Sequence, residues 1–473
     1  MIEEVAYVGT LVCLAYMLCV FALYSVLIIF SALDNFIRSR ETLGEDFALL
    51  AQSRFTIPLS VIVPAFNEQD VVSFTVQSIL AFDYPELEVI VVDDGSTDDT
   101  FGVLERMLDL EPYAEFERRI VDCAPVRGVY ASRSHPHVRV VRKDNQGTKA
   151  DALNCGLNFA RYRYVCTLDG DTLYEPDALL NAMRLVVRDP ERIVGLTGHI
   201  SVSSNPEGRI SHQVDGHEVI DATLLSNFQH LDYLRAFLNN RLAWSRLGFM
   251  LCASGAFAIW RRDILEEVRG WSTEFSSEDI ELTFRVHELM QRTSRPYRIL
   301  SIPEMVARTE APTRIGALVA QRARWQRVTL ETLWHYRRMI GNPRYGVVGL
   351  VGVPLLVVTE ALAPVFELLG IAALFAGLAL GTFSWELYLV FFASMSFALA
   401  ILTSAAVLLE DISTRAYRLR HLVRLIALGP VELLVYRPIL VWARLKGTAG
   451  FLRGRRDWDK FDRNVRAPAE SPT

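Results

Sequence analysis

Charge is laid out along this chain in blocks, and that pattern limits the folds open to it more than any other feature. Residues 7–32 carry no charge, and residues 346–409 carry only the acids Glu360, Glu367 and Glu386. Residues 40–345 mix both signs throughout. A helix needs about 20 apolar residues to cross a ~30 Å hydrocarbon core. Uncharged blocks of that length beside a long mixed-charge block specify a soluble domain between membrane segments. The overall apolar content of 51% would not by itself distinguish this from a greasy globular protein.

The flanking charges give an orientation. Glu3 and Glu4 precede the first apolar block, which is too long for a signal peptide and lacks its basic start. Arg38 and Arg40 follow it, so residues from 40 onward are expected on the cytosolic side. Residues 387–409 form a second clean span. Residues 346–385 are too long for one straight helix and contain Pro354 and Pro364; they read either as an interfacial segment followed by a span or as one broken helix. Glu360 and Glu367 then either face protein or a water-filled path, or sit near the interface. Residues 425–445 hold Pro430, Glu432, Arg437 and Pro438. Arg415, Arg418, Arg420 and Arg424 precede them, and Lys446, Arg453, Arg455 and Arg456 follow. Basic flanks on both sides predict an interfacial or re-entrant segment. The expected organisation is an N-terminal transmembrane helix (1–39), a cytosolic catalytic domain (40–335), a membrane region (336–445) and a basic cytosolic tail (446–473).

The formal net charge of −6 leaves no basic footprint for a nucleic-acid partner. The six cysteines make no CxxC pair and the nine histidines no HExxH pattern. The thiols read as reduced small hydrophobes and the histidines as surface or satisfied residues, with Asp and Glu as the only expected metal ligands.

Within the soluble block, short β-branched runs at 59–64, 88–92, 138–141 and 164–168 alternate with helical spacing at 71–81 and 149–160. That rhythm predicts an α/β fold with a parallel sheet covered on both faces. Residues 122–136, with Pro125, Gly128 and Pro136, read as a long surface loop. Ligands of such sheets bind at the carboxyl ends of the strands, and polar clusters fall there.

Asp169-Gly170-Asp171 follows a buried run, and two carboxylates so spaced suit a divalent cation that bridges protein to a diphosphate. Asp93-Asp94 can accept hydrogen bonds from a base or ribose. Lys149, at a helix start, can meet phosphate. Glu278 and Asp279 open another helix, where a carboxylate can deprotonate an attacking hydroxyl. In Gln321-Arg322-Ala323-Arg324-Trp325, arginine suits a leaving diphosphate and tryptophan a sugar face. Each piece alone also has an ordinary structural reading: a capped turn, a helix start rich in acids, an interfacial helix.

In this order the motifs resemble the processive family 2 glycosyltransferases, the group of cellulose, chitin, hyaluronan and poly-N-acetylglucosamine synthases. The Ser-Glu-Asp and Gln-Arg-x-Arg-Trp variants lie nearest the poly-β-1,6-N-acetylglucosamine synthases. The resemblance implies a GT-A type domain with N-terminal and C-terminal transmembrane helices, and an inverting enzyme that elongates a β-linked polysaccharide. UDP-N-acetylglucosamine is favoured over UDP-glucose as donor. It implies that Asp94, with Asp93, contacts uridine, with Glu68 near the base. Lys149 approaches the diphosphate, and Asp169 and Asp171 bind Mg or Mn. Asp279 is the general base, supported by Glu278. Gln321, Arg324 and Trp325 hold the diphosphate and the acceptor end, and Ser254-Gly255 belongs to the loop that shapes the acceptor pocket. The implied partners are a UDP-sugar, a growing polysaccharide, the bilayer and, as an open option, an accessory membrane subunit; the implied location is the inner (plasma) membrane. Phe66 stands where such families often have Tyr. The alternatives are a transferase that adds one sugar to a lipid carrier, and a non-catalytic scaffold or export subunit.

Overall fold

The computed structural model describes residues 2–42, 56–115, 117–203, 213–214, 217–218, 223–381, 385–414 and 417–455. Arg415 and residues 456–473 of the expected basic tail lie outside this set.

The strands are β1 (Leu59–Ala65), β2 (Leu87–Asp93), β3 (Leu110–Pro112), β4 (Val126–Ser132), β5 (Val138–Lys143), β6 (Tyr164–Leu168), β7 (Leu173–Tyr174), β8 (Ile193–Ser203), β9 (Gln213–Val214), β10 (His217–Glu218), β11 (Phe257–Arg261) and β12 (Arg298–Glu310). Ten of them form one sheet in the order β3-β4-β5-β2-β1-β6-β11-β8-β12-β7. The centre is parallel: β1 pairs with β2 and with β6, and β2 with β5. β11 runs antiparallel to both β6 and β8. This is the mixed sheet of the GT-A fold.

Strand residues alternate between the two faces, so each central strand feeds two cores. Val61, Val63, Val89 and Val91 enter one, while Ile62, Ile90 and Val92 enter the other. The helix Lys149–Phe159 lies directly on β1, where a Cβ on Gly156 would meet Ile62 Cγ2 at 2.3 Å.

The expected loop at 122–136 is instead largely a strand. β4 pairs antiparallel with β5 from Val126 to Ala131, with a register irregularity between Val126 and Gly128. Pro125 and Pro136 flank this strand rather than break it, and proline is tolerated outside a ladder. Partner residues on β5, not local composition, make it β.

Among the described residues, three helices are long and apolar enough to cross a membrane, Leu11–Arg38, Val348–Ala379 and Phe392–Ile412. Of the two readings for 346–385, the structure takes the broken helix. It contains π-helical turns at Val348–Gly352 and Val357–Ala361, each followed by a helical segment with a proline in its first turn. Beyond the third span, Leu419–Val435 and Arg437–Leu452 meet at 54°. Pro438 at the start of the second helix accounts for the bend, because its ring blocks continuation of the preceding turn.

That bent pair is pinned to the sheet domain by charge. Glu432, fully buried, accepts from Arg235 at 2.6 Å and pairs with Arg437 at 3.0 Å. Arg235 also binds Asp232 at 2.8 Å, and the Tyr436 hydroxyl donates to Asp232 at 2.9 Å. A buried charge is tolerated only with such partners.

Candidate functional site

β1, β2 and β6 are neighbours, so the turns that follow them lie side by side at one edge of the sheet. Gly95 follows β2 at φ 67°, and a Cβ there would meet the Asn145 backbone nitrogen at 2.9 Å. Gly170 lets its turn approach β1 closely, where a Cβ would meet the Pro64 carbonyl oxygen at 2.7 Å. Only glycine fits either place.

These turns form the floor of a cleft of about 1060 Å³. It is lined by Glu68, Asp94, Lys149, Asp169, Asp171, Ser254, Gly255, Glu278, Asp279, Gln321, Arg324 and Trp325. One sequence-based candidate is missing. Asp93 ends β2 fully buried; its Oδ1 caps the turn by accepting from Ser96 N at 3.0 Å, and Oδ2 meets Arg142 at 3.2 Å. Successive strand residues face opposite ways, so Asp94 reaches the cleft and Asp93 turns inward.

Asp94 is held by two residues that the motif reading missed. The Lys143 ammonium, fully buried, binds Asp94 and, at 2.6 Å, Asp151. Asn145 Nδ2 donates to the Asp94 carbonyl oxygen at 2.7 Å and to its carboxylate at 3.2 Å. Burial pushes the Asp94 carboxyl up to about 6, against the pull of Lys143. A lysine two residues beyond an apolar run was the available signal, but its partners lie far away in sequence.

Lys149 is placed between acids. Its ammonium binds Asp169, Glu278 Oε1 at 3.0 Å and the Gly255 carbonyl oxygen at 3.0 Å. Three contacts match the three N–H bonds of an ammonium. Burial works against its charge, yet Asp169 and Glu278 hold its pKa above the usual lysine range. Burial raises the Asp169 carboxyl to about 6; Lys149 pulls it back while Asp171 and Glu278 push it higher.

Asp279 sits in the first turn of the helix Glu278–Arg292. Its Oδ1 accepts from Ser277 Oγ and from Ile280 N at 2.7 Å, which fixes the carboxylate. Oδ2 accepts from Gly255 N at 3.3 Å and lies 3.9 Å from Cys252 Sγ. Burial and Asp279 push the Cys252 thiol up to about 12. A carboxylate oriented in this way can accept a proton.

The helix Ile315–His335 contributes Gln321, Arg324 and Trp325 to the same cleft. Burial lowers the Arg324 pKa while Glu278 and Asp279 support its charge. The Arg322 guanidinium stacks on Trp325 at 4.2 Å, and Tyr233 lies 6.1 Å from Trp325 between ring centroids. Leu356 and Glu360, from the broken apolar helix, line the same cleft. Arg444 pairs with Glu360 at 3.3 Å and with Glu367 at 3.6 Å.

The cleft lining carries nine Asp and Glu residues against Lys149, Arg241, Arg314 and Arg324, so the charge balance suits an added cation. Among the described residues no group of three His, Cys, Asp or Glu side chains could hold a metal ion. Protein ligands would therefore need completing by a bound anion. The histidines depart from expectation at one position. Both His199 ring nitrogens are buried without a hydrogen-bond partner among the described residues.

A profile described as glycosyl transferase family 2 matches residues 60–269. Poly-β-1,6-N-acetyl-D-glucosamine synthase of Staphylococcus epidermidis is 28% identical over 280 residues, which cover 58% of this chain and 56% of that protein. The synthase of the same name from Staphylococcus aureus is 25% identical over 267 residues, covering 56% and 53%. The chain thus spans about half the length of the curated relatives it matches. A mannosyltransferase from Pyrobaculum calidifontis, solved in complex with GDP-Man and Mn2+, shares the fold at a TM-score of 0.56. Its identity is 19%, over 96% of this chain and 100% of that one. With a GT-A sheet and acids gathered at its strand ends, this chain carries a family 2 glycosyltransferase domain and is a homologue of the poly-β-1,6-N-acetyl-D-glucosamine synthases.

Proposed function

We propose that this protein is an inverting membrane glycosyltransferase that elongates a β-linked polysaccharide from UDP-N-acetylglucosamine, with its catalytic domain on the cytosolic side of the inner membrane. One observation carries the reading. One cleft is lined both by Asp94, Asp169, Asp171 and Asp279 and by Arg324, Trp325, Leu356 and Glu360, the last two from an apolar helix long enough to span a bilayer. The related synthases, by their names, make poly-β-1,6-N-acetyl-D-glucosamine.

In this reading Asp94 receives the nucleoside end of the donor and Glu68 lies near the base. The Asp279 carboxylate takes the proton of the acceptor hydroxyl as its oxygen bonds to the anomeric carbon. The bond from that carbon to UDP breaks in the same step, and the electron pair leaves with UDP. Arg324 stabilises the charge that develops on the diphosphate. Trp325 offers a face for the acceptor sugar. Asp169 and Asp171 would hold a Mg or Mn ion, which, when bound, neutralises diphosphate charge. Lys149 keeps Asp169 and Glu278 in place.

The test is to incubate the purified full chain in lipid vesicles with UDP-N-acetylglucosamine and with UDP-glucose, with and without EDTA, and to analyse the products by mass and linkage. A β-1,6-linked ladder from the acetylated donor, lost with EDTA, supports the reading. A single glycolipid product removes chain elongation, and full activity in EDTA removes the metal.

A further inference from the structure

Arg322 and Trp325 lie three residues apart on the helix Ile315–His335, a spacing that lets their side chains meet. The guanidinium carbon of Arg322 sits 4.2 Å from the Trp325 ring centroid and 5.7 Å from that of Tyr233. Tyr233 and Trp325 both line the cleft, whereas Arg322 does not. Trp325 is 40% exposed. Packing on all sides therefore does not fix its ring, and its orientation depends on the few groups that touch it. A guanidinium over an indole face attracts the ring, and more strongly where water is excluded.

That cation is nearly buried and needs a counter-charge. Asp232 supplies it: Oδ2 lies 3.4 Å from Arg322 Nη2, with side chains 18% and 11% exposed. The other contacts of Asp232 are compatible with this pairing. Its Oδ1 accepts from Arg235 at 2.8 Å, and the Tyr436 hydroxyl donates to Oδ2 at 2.9 Å. Arg235 is also held by both carboxylate oxygens of Glu432, at 2.6 and 3.0 Å, so it does not depend on Asp232 alone. Burial works against the charge of Asp232, yet Arg322 and Arg235 hold its carboxyl below the usual carboxylate range. Asp232 and Tyr233 are consecutive in the helix Leu224–Leu234. One helical turn thus delivers both the anchor of Arg322 and the second ring beside Trp325.

We propose that Asp232 and Arg322 are positioning residues for acceptor binding: Asp232 anchors the Arg322 guanidinium, and Arg322 holds the Trp325 ring in the orientation that receives the acceptor sugar. This deepens the proposed function and rests on its placement of the acceptor on Trp325. Neither residue touches the reacting atoms, and both act through the tryptophan. Asp232 is tied to Tyr436 and, through Arg235, to Glu432, so the acceptor platform takes its position from the cluster that docks the bent helix pair.

The experiment uses the full chain in vesicles, with UDP-N-acetylglucosamine as donor and a β-1,6-linked N-acetylglucosamine oligosaccharide as acceptor. Arg322→Met keeps the length of the side chain and removes the cation; Asp232 retains Arg235 and Tyr436 as partners. KM for the acceptor is expected to rise about tenfold, between the exposed and the desolvated values of a cation–π contact, with KM for the donor unchanged. Asp232→Asn should raise the acceptor KM in the same way. A double-mutant cycle separates positioning from general damage. In a Trp325→Leu background Arg322→Met should change the acceptor KM less than twofold, and in an Arg322→Met background so should Asp232→Asn. An unchanged acceptor KM, a rise in both KM values together, or effects that multiply fully in the Trp325→Leu background overturns the proposal. If the wild type itself transfers nothing to the oligosaccharide, the proposed function fails first and the positioning role falls with it.

Discussion

At the ends of β2 and β5, Asp94, Lys143 and Asp151 form an unbroken ionic chain shut away from solvent. On the opposing helical wall, Asn240, Trp244 and Gln321 carry buried polar atoms with no partner among the described residues. Both regions line or support one cleft, yet one is satisfied by the protein and the other is not. The sheet edge is rigid because strand ends are fixed by their neighbours, so charges can be matched permanently there. The helical wall leaves those groups unpaired, at a cost in stability.

The largest expected effect tests the boundary between the two regions. Asp279→Asn keeps the shape of the side chain but removes the base, so transfer should fall ~10²–10⁴-fold while UDP binding persists. Product formation at near-normal rate alongside intact nucleotide binding would take Asp279 out of its role.

The next prediction concerns the satisfied wall alone. Lys143→Met leaves Asp94 and Asp151 buried without their shared cation, which should cost on the order of 3–5 kcal/mol. Denaturant unfolding of the catalytic domain reads this directly. A variant as stable as the wild type would mean that the ionic chain contributes little.

Acid should act on the core behind both walls. Burial depresses the pKa of His287 to about 4 and that of His199 to about 3, against about 6.5 in an unfolded chain. The unfolded state then binds more protons, so stability is complete above pH ~6.5 and is lost as pH falls toward ~4. The His287 shift corresponds to about 3 kcal/mol. Replacing His287 with Gln should roughly halve the slope of the unfolding profile across that window, the rest being due to His199.

The smallest effect belongs to an ion pair far from the cleft. Arg106 and Asp99 meet at 2.6 Å, with side chains 66% and 59% exposed. Arg106→Ala should change stability by no more than ~1 kcal/mol. A larger loss would show that surface charge matters here as much as the buried chain does.

Much of this molecule was legible in the sequence because its signals are local. Buried runs marked β1, β2, β5 and β6, and acids directly after them marked the sheet edge. β4 was not legible, since only its pairing with β5 makes it a strand. Asn240 and Trp244 sit in a stretch without a catalytic motif, and only the fold brings them to the cleft.

The sequence by itself determined that a soluble α/β domain lies between apolar segments, and which carboxylates stand at the ends of its strands. Tertiary structure decided which of them face the cleft. Asp94 does and Asp93 does not, because neighbouring strand residues alternate sides. It also decided that Lys149 bridges Asp169 and Glu278. Those partners come from separate turns of the chain, and no local spacing encodes a contact that exists only once the sheet has brought its edges together.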